Sequence, residues 1–163
     1  MKKIITVLLV LSASFVNAQA FKGKGDVKLQ VGATMQEYAT GIVTRADFGL
    51  GENISVGGSI GYLLNTTDAV GTPKFDDRFD AKLRFNANIG NVLNISEKFD
   101  LYPGLDLGLR NFGAHLGARY FFTDGFGVYT EAGIPLAKYN TNAIGYERFN
   151  NQFVFQIGAS FNL

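Results

Sequence analysis

The chain has 163 residues and contains no cysteine, no tryptophan and only three prolines. Without cysteine it can form no disulfide bond and offers no thiolate to a metal ion. Its charge leans to neither sign, with 15 lysines and arginines against 14 acidic residues. This balance argues against a nucleic-acid partner bound through its phosphates. The sequence also suggests no cofactor site and no metal site.

No apolar run is long enough for a transmembrane helix. The longest apolar stretch extends from Ile4 to Val16 and is broken by hydroxyl side chains, whereas a bilayer takes roughly 20 residues. The stretch follows two lysines and ends at small residues, which is typical of a secretory signal peptide. Cleavage after Ala18 and after Ala20 both satisfy the small-residue rule. We place the signal peptide at residues 1–20 and a single mature domain at residues 21–163.

The chain is rich in glycine, with 20 residues, and in aromatic side chains, at 13%. After the signal peptide, eight segments alternate apolar and polar residues. In the clearest one, from Phe79 to Ile89, every even position is charged or an amide. A strand places such positions on one side, whereas a helix would scatter them. The pattern predicts an all-β protein, an eight-stranded antiparallel up-and-down barrel.

The polar faces are expected to point inward. An eight-stranded barrel has little interior volume, and the apolar faces carry too many phenylalanines to fit inside it. Five or six apolar residues per strand also match an outer-membrane belt about 25 Å tall, bordered by aromatic girdles. The expected lumen charge network comprises Arg45, Asp47, Asp80, Lys82, Arg84, Asp106, His115, Arg119 and Glu131.

Two of these side chains are expected to pair directly. Arg119 and Glu131 lie on either side of a turn at residues 123–125, at similar distances from it. Cross-strand neighbours are about 5 Å apart, within reach of a salt bridge. A network of this density is expected to fill the lumen and leave no open pore.

The last strand carries a recognisable pattern. A polar residue, a glycine and two apolar residues follow one another at fixed spacing: Gln156, Gly158, Phe161 and Leu163. This arrangement resembles the C-terminal insertion signal of bacterial outer-membrane barrels, although Leu163 replaces the usual phenylalanine. The resemblance implies that the last strand is a partner of the barrel-assembly machinery.

Taken together, the mature chain resembles the small outer-membrane barrels of the outer membrane protein A and X type, and the porin-like families of unknown function. The resemblance lies in pattern and not in residue identity. It implies a Gram-negative outer membrane, contact with its lipids, and both termini in the periplasm.

Three functions are compatible with such a barrel. The first is a structural or interaction role, in which loops at residues 65–77 and 138–151 are candidate surfaces for an extracellular ligand. The second is a small passive channel. The third, an enzyme acting on lipid or peptide at the rim, ranks last because His115, the single histidine, has no evident nucleophile beside it. We therefore expect no enzymatic activity.

Overall fold

The computed structural model describes residues 19–66, 73–141 and 145–163. These form a closed barrel of eight antiparallel strands, in which each strand pairs with the next and the last pairs with the first. The predicted fold class is confirmed. The strands are β1 (Val27–Gln36), β2 (Ala39–Gly49), β3 (Ile54–Thr66), β4 (Phe79–Ala87), β5 (Phe99–Gly108), β6 (Asn111–Phe121), β7 (Phe126–Lys138) and β8 (Val154–Asn162). Residues 1–18, most of the predicted signal peptide, lie outside the described residues.

The alternation of the sequence becomes an apolar outer face and a polar inner face. On β2, Ile42 and Phe48 are about half exposed, at 53% and 49%, whereas Arg45 and Asp47 are each 1% exposed. Successive side chains of a strand point to opposite faces. In a closed barrel those faces are the outside and the lumen, so the interior of this protein is built from polar side chains.

The two ends of the barrel differ. At the loop end, the β3–β4 connection carries the short helix α1 (Phe75–Arg78), and the β7–β8 connection carries a 3-10 helix (Gly145–Arg148). At the terminal end, where β1 begins and β8 ends, the β4–β5 connection carries the one-turn helix α2 (Gly90–Leu93). No helix within the described ranges is long and apolar enough to cross a membrane.

The two predicted loops, residues 65–77 and 138–151, contain strand, helical and buried residues as well as exposed ones. Strand β3 continues through Thr66, and residues 75–77 belong to the short helix of the β3–β4 connection. In the second predicted loop, Phe149 is buried against Ala39 and Leu63. The period-2 pattern does not extend to these segments, so no pattern in the sequence indicates that part of the second loop packs inward.

Three residues of the β7–β8 connection cap the loop end of the lumen, and we call Phe149, Asn150 and Asn151 the loop cap. The Asn150 N–H donates to Gln36 Oε1 over 2.9 Å, and Asn111 Nδ2 donates to the Asn150 carbonyl over 2.8 Å. Asn150 adopts a positive φ of 57°, a conformation that asparagine tolerates better than most residues. Specific hydrogen bonds therefore hold the cap over the barrel mouth.

Candidate functional site: the barrel lumen

The middle of the lumen is organised around the carboxylate of Glu131, on β7. Arg45 Nη1, from β2, lies 2.6 Å from Glu131 Oε2. Arg84, from β4, donates to both carboxylate oxygens, with Nη1 3.0 Å from Oε1 and Nη2 2.7 Å from Oε2. All three side chains are at most 5% exposed. One acid thus joins three non-adjacent strands across the width of the barrel, through strong charge-assisted bonds.

Arg84 extends this cluster to β6. Its Nη2 lies 3.0 Å from His115 Nε2, and His115 Nδ1 lies 3.0 Å from Asp106 Oδ1. His115 Nε2 also lies 2.8 Å from Asn86 Oδ1, so this ring nitrogen faces both a guanidinium donor and an amide acceptor. Arg84 Nε also lies 3.8 Å from Asp47 Oδ1. Both ring nitrogens of the histidine therefore lie against other side chains of the network.

A second cluster lies nearer the terminal end. Arg119 Nη2 donates to Asp100 Oδ2 and to Asn88 Oδ1, each over 2.7 Å. The guanidinium lies over the Tyr102 ring, 4.8 Å from its centroid. This cation–π contact adds to the ion pair in a desolvated setting.

The predicted Arg119–Glu131 pair is wrong. The β6–β7 ladder places Arg119 opposite Tyr129 and Glu131 opposite Gly117, two residues away from the expected register. Both side chains are long enough to leave their own hairpin, so Glu131 reaches strands across the lumen while Arg119 pairs with β5. Proximity along a hairpin does not determine the partner in a narrow barrel.

The remaining predicted lumen residues lie toward the loop end. Asp80 Oδ2 and Lys82 Nζ are 3.7 Å apart on β4. Together with Asp106 and Gln156, they line a cavity of about 30 Å³, which is room for about two water molecules. Within the described ranges, no cluster of three or more histidine or acidic side chains is placed to hold a metal ion.

Sequence reasoning left out several inner-face residues that complete these clusters. Tyr129 stacks under the Arg45 guanidinium at 4.7 Å. Lys28 pairs with Asp26 near the terminal end. Each of the missed strand residues occupies an inward position of the same alternation that revealed the charged ones. The signal was present, but tyrosines and amides were not expected to form part of a charge network.

A glycine on β6 makes room for one of these tyrosines. Gly117 lies directly opposite Tyr102 in the β5–β6 ladder, and a methyl group at Gly117 would overlap the buried Tyr102 ring. We expect Gly117→Ala to lower the free energy of unfolding by about 1–3 kcal/mol through overpacking. Urea unfolding of the refolded protein in detergent measures this.

Gly133, on β7, is the matched control for this substitution. A methyl group there would come no nearer than 3.7 Å to its neighbours. Gly133→Ala should be neutral or slightly stabilising, because alanine loses less backbone entropy than glycine in a strand. Equal unfolding midpoints for the two variants would show that Tyr102 is not held by the fit to Gly117.

The predicted insertion-signal residues lie on both faces of β8. Gln156 points inward, with Nε2 3.4 Å from Thr34 Oγ1, and Gly158 pairs with Gly32 of β1. Phe161 lies on the outer face, with its ring 5.7 Å from that of Phe126. Leu163 is 78% exposed. Strand β8 is thus the seam that closes the barrel onto β1.

Comparison with known proteins gives a family and a fold. The sequence profile of a family of unknown function, DUF6646, matches residues 11–163. The chain belongs to the DUF6646 family. A comparison with curated protein sequences gave no match.

Solved structures similar to this DUF6646 chain include a natural β-barrel domain and de novo designs. The N-terminal β-barrel domain of Pseudomonas aeruginosa OprF matches with a TM-score of 0.62 and 13% identity, covering 87% of this chain and 100% of that one. A structure from the de novo design of transmembrane β-barrels matches at 0.57 and 11%, covering 87% and 98%. The designed barrel TMB2.3 matches at 0.52 and 15%, covering 87% and 97%. At these identities the likeness shows the fold.

Proposed function

We propose that this protein is an outer-membrane barrel with a closed lumen, which has a structural or interaction role and displays its loop end outside the cell. The outer face supports the membrane location because it exposes an apolar band around the whole barrel. Leu83, Leu107, Ile134 and Ile157, on four different strands, are each about half exposed or more. A surface of this kind is unfavourable in water and suits lipid.

Aromatic side chains border this band at both ends. At the terminal end, the rings of Phe122, Phe126 and Phe161 form a continuous series, with centroids 6.1 and 5.7 Å apart. At the loop end, Phe75 lies 5.4 Å from Tyr62 and stacks on Phe79 at 5.5 Å. Two such rows fit the aromatic girdles at the two membrane–water interfaces.

The ion pairs that cross the lumen are the observation that carries the functional proposal. The bonds from Glu131 to Arg45 and Arg84 cross the interior, and the loop cap covers the mouth above them. When the middle of a barrel is blocked, a partner can reach its outer surface and loops, and solutes cannot pass through its lumen. The exposed described residues of the two loops are therefore the proposed contact surfaces for a ligand or another cell: residues 74–76 in the first loop, and residues 139–141, 145, 147 and 148 in the second.

Because the sequence contains no cysteine, a single introduced thiol can show which end of the barrel faces the outside of the cell. Tyr139→Cys places a single thiol on an exposed residue of the loop end, and Asn91→Cys places one at the terminal end. A membrane-impermeant maleimide added to intact cells should label the first variant and not the second. Both variants should react once the outer membrane is opened. Labelling of Asn91→Cys alone in intact cells would contradict the proposed orientation.

A small passive channel is the second candidate, and one observation favours it. Within the described structure, the Asp47 carboxylate is buried but accepts no hydrogen bond from the protein, and buried polar atoms usually have a partner, often water. A chain of water through such side chains would carry small ions. The channel ranks second because Glu131 and Arg84 occupy the centre of that path.

A further inference from the structure

The terminal end of the lumen is closed by residues that precede β1. The Phe21 side chain is 7% exposed. Its ring lies between two cations, with Lys28 Nζ 5.9 Å and Arg119 Cζ 5.7 Å from the ring centroid. The ring therefore covers the second charge cluster on its open side and makes cation–π contacts with it.

The residue before Phe21 is built into the fold as well. The Ala20 N–H donates to the Glu97 carbonyl over 2.7 Å. The Ala20 side chain packs against Phe121, and both residues are at most 1% exposed. Gln19, in contrast, is exposed and lies at the edge of a cleft beside α2. The boundary between buried and exposed chain thus falls between Gln19 and Ala20.

The connection to β1 holds this segment in place. Gly23 and Gly25 adopt φ values of +85° and +86°, which side chains other than glycine rarely tolerate. The Gly25 N–H donates to the Gly49 carbonyl over 2.9 Å, and the Gly49 N–H donates to the Asp26 carbonyl over 2.7 Å. The turn is therefore bonded to the end of β2 and directs Phe21 back under the barrel.

We propose that the signal peptide is cleaved after Ala18, and that Gln19, Ala20 and Phe21 remain on the mature protein as a plug of the periplasmic mouth. The inference rests on the proposed export of the chain. Water adds across the Ala18–Gln19 peptide bond, which leaves a carboxylate on Ala18 and an ammonium group on Gln19. The small-residue rule permits both sites and its A-x-A form favours Ala20, whereas the contacts of Ala20 and Phe21 favour Ala18 and move the boundary of the signal peptide from residue 20 to residue 18.

The ammonium group created by cleavage also favours the site after Ala18. Cleavage after Ala20 would place a new ammonium group on Phe21, the buried residue that already lies against Lys28 and Arg119. A new positive charge on a residue this buried is costly without a matching anion, and the acids of this cluster, Asp26 and Asp100, already pair with Lys28 and Arg119. The same cleavage would remove the Ala20 amide and uncover Phe121. Cleavage after Ala18 places the ammonium group on exposed Gln19, where water solvates it.

The first test is the N-terminus of the protein isolated from the outer membrane after expression of the full chain. Intact mass and N-terminal sequencing should show Gln19 as the first residue. A Gln19 that has cyclised with loss of ammonia counts as the same result. A chain that begins at Phe21 would overturn the inference and leave the proposed export intact. An uncleaved chain retained in the cytoplasm would contradict both.

The second test asks whether Phe21 acts as a plug. Ser55 is buried at the terminal end, where Asn86 and Asn88 donate to its hydroxyl over 3.0 and 3.1 Å. In a Ser55→Cys reporter, a small thiol reagent should react several-fold faster when Phe21→Ala is added. Phe21→Leu, which keeps most of the bulk, should remain protected, and Lys22→Ala, which changes an exposed neighbour, is the control.

Only protein that migrates as the folded, heat-modifiable band is scored in this experiment. Equal labelling rates in the parent, Phe21→Ala and Lys22→Ala reporters would overturn the plug. Fast labelling of the parent reporter would overturn it as well, because the mouth would then be open with Phe21 in place.

Discussion

Replacing Glu131 by methionine is expected to lower the free energy of unfolding by about 3–5 kcal/mol, the cost of leaving a buried charge without its partner. Among the described residues, Arg45 forms one salt bridge, the 2.6 Å contact with Glu131. The substitution removes it. Arg84 is less affected because Asp47 and Asp106 lie within 4.0 Å of its Nε. The measurement is urea unfolding of the refolded protein in detergent.

A second substitution should reverse part of this loss. In the double variant Arg45→Met, Glu131→Met, the stranded guanidinium is absent, so the double variant should be more stable than Glu131→Met alone. Glu37→Met is the matched control, because Glu37 and Arg148 form an exposed pair at 3.4 Å and such pairs contribute at most about 1 kcal/mol. If Glu131→Met unfolded at the same urea concentration as Glu37→Met, the lumen network would not stabilise the barrel.

The second large effect is expected at the barrel seam. Phe161→Asp together with Leu163→Asp should leave export intact but prevent assembly into the outer membrane. Phe161 pairs with Leu29 on β1 and with Phe126 on β7, so a charge there disturbs closure. Charges on a lipid-facing position also cost about 2–4 kcal/mol at the bilayer midplane and less near its edge. Fractionation and the gel shift between folded and boiled protein measure assembly.

The control for this variant is Phe161→Leu with Leu163→Phe, which keeps both positions apolar and should assemble normally. The Asp variant should accumulate in the periplasm or be degraded. If it reached the outer membrane as a heat-modifiable band, the terminal residues would be neither a seam nor an insertion signal.

Strand alternation was the part of the sequence that predicted structure most securely. Each strand has a fixed period of two, so the inward position of Arg45 or Glu131 follows from its place in the pattern. The partner of a given side chain does not follow from that pattern. It depends on the stagger with which the barrel closes and on the reach of long side chains across the lumen, and for this reason the expected pairing of Arg119 with Glu131 is wrong.

The two ends of the barrel were harder to predict for a related reason. Phe149 and Phe21 lie in irregular segments, where no periodicity indicates which side chains turn inward. Both are phenylalanines flanked by polar or small residues, a pattern that also fits an exposed loop. Their burial depends on backbone turns at Asn150 and at Gly23 and Gly25, whose positive φ values become visible only in three dimensions.

Planar-bilayer recording of the refolded wild-type protein tests the closed lumen most directly. The protein should be reconstituted only from the heat-modifiable fraction, so that silence cannot come from unfolded chains. With the loop cap above, the Glu131 network in the middle and Phe21 below, we expect no steady conductance at moderate voltage. Stable, reproducible conductance steps from the wild-type barrel would contradict it and would make the passive channel the leading function.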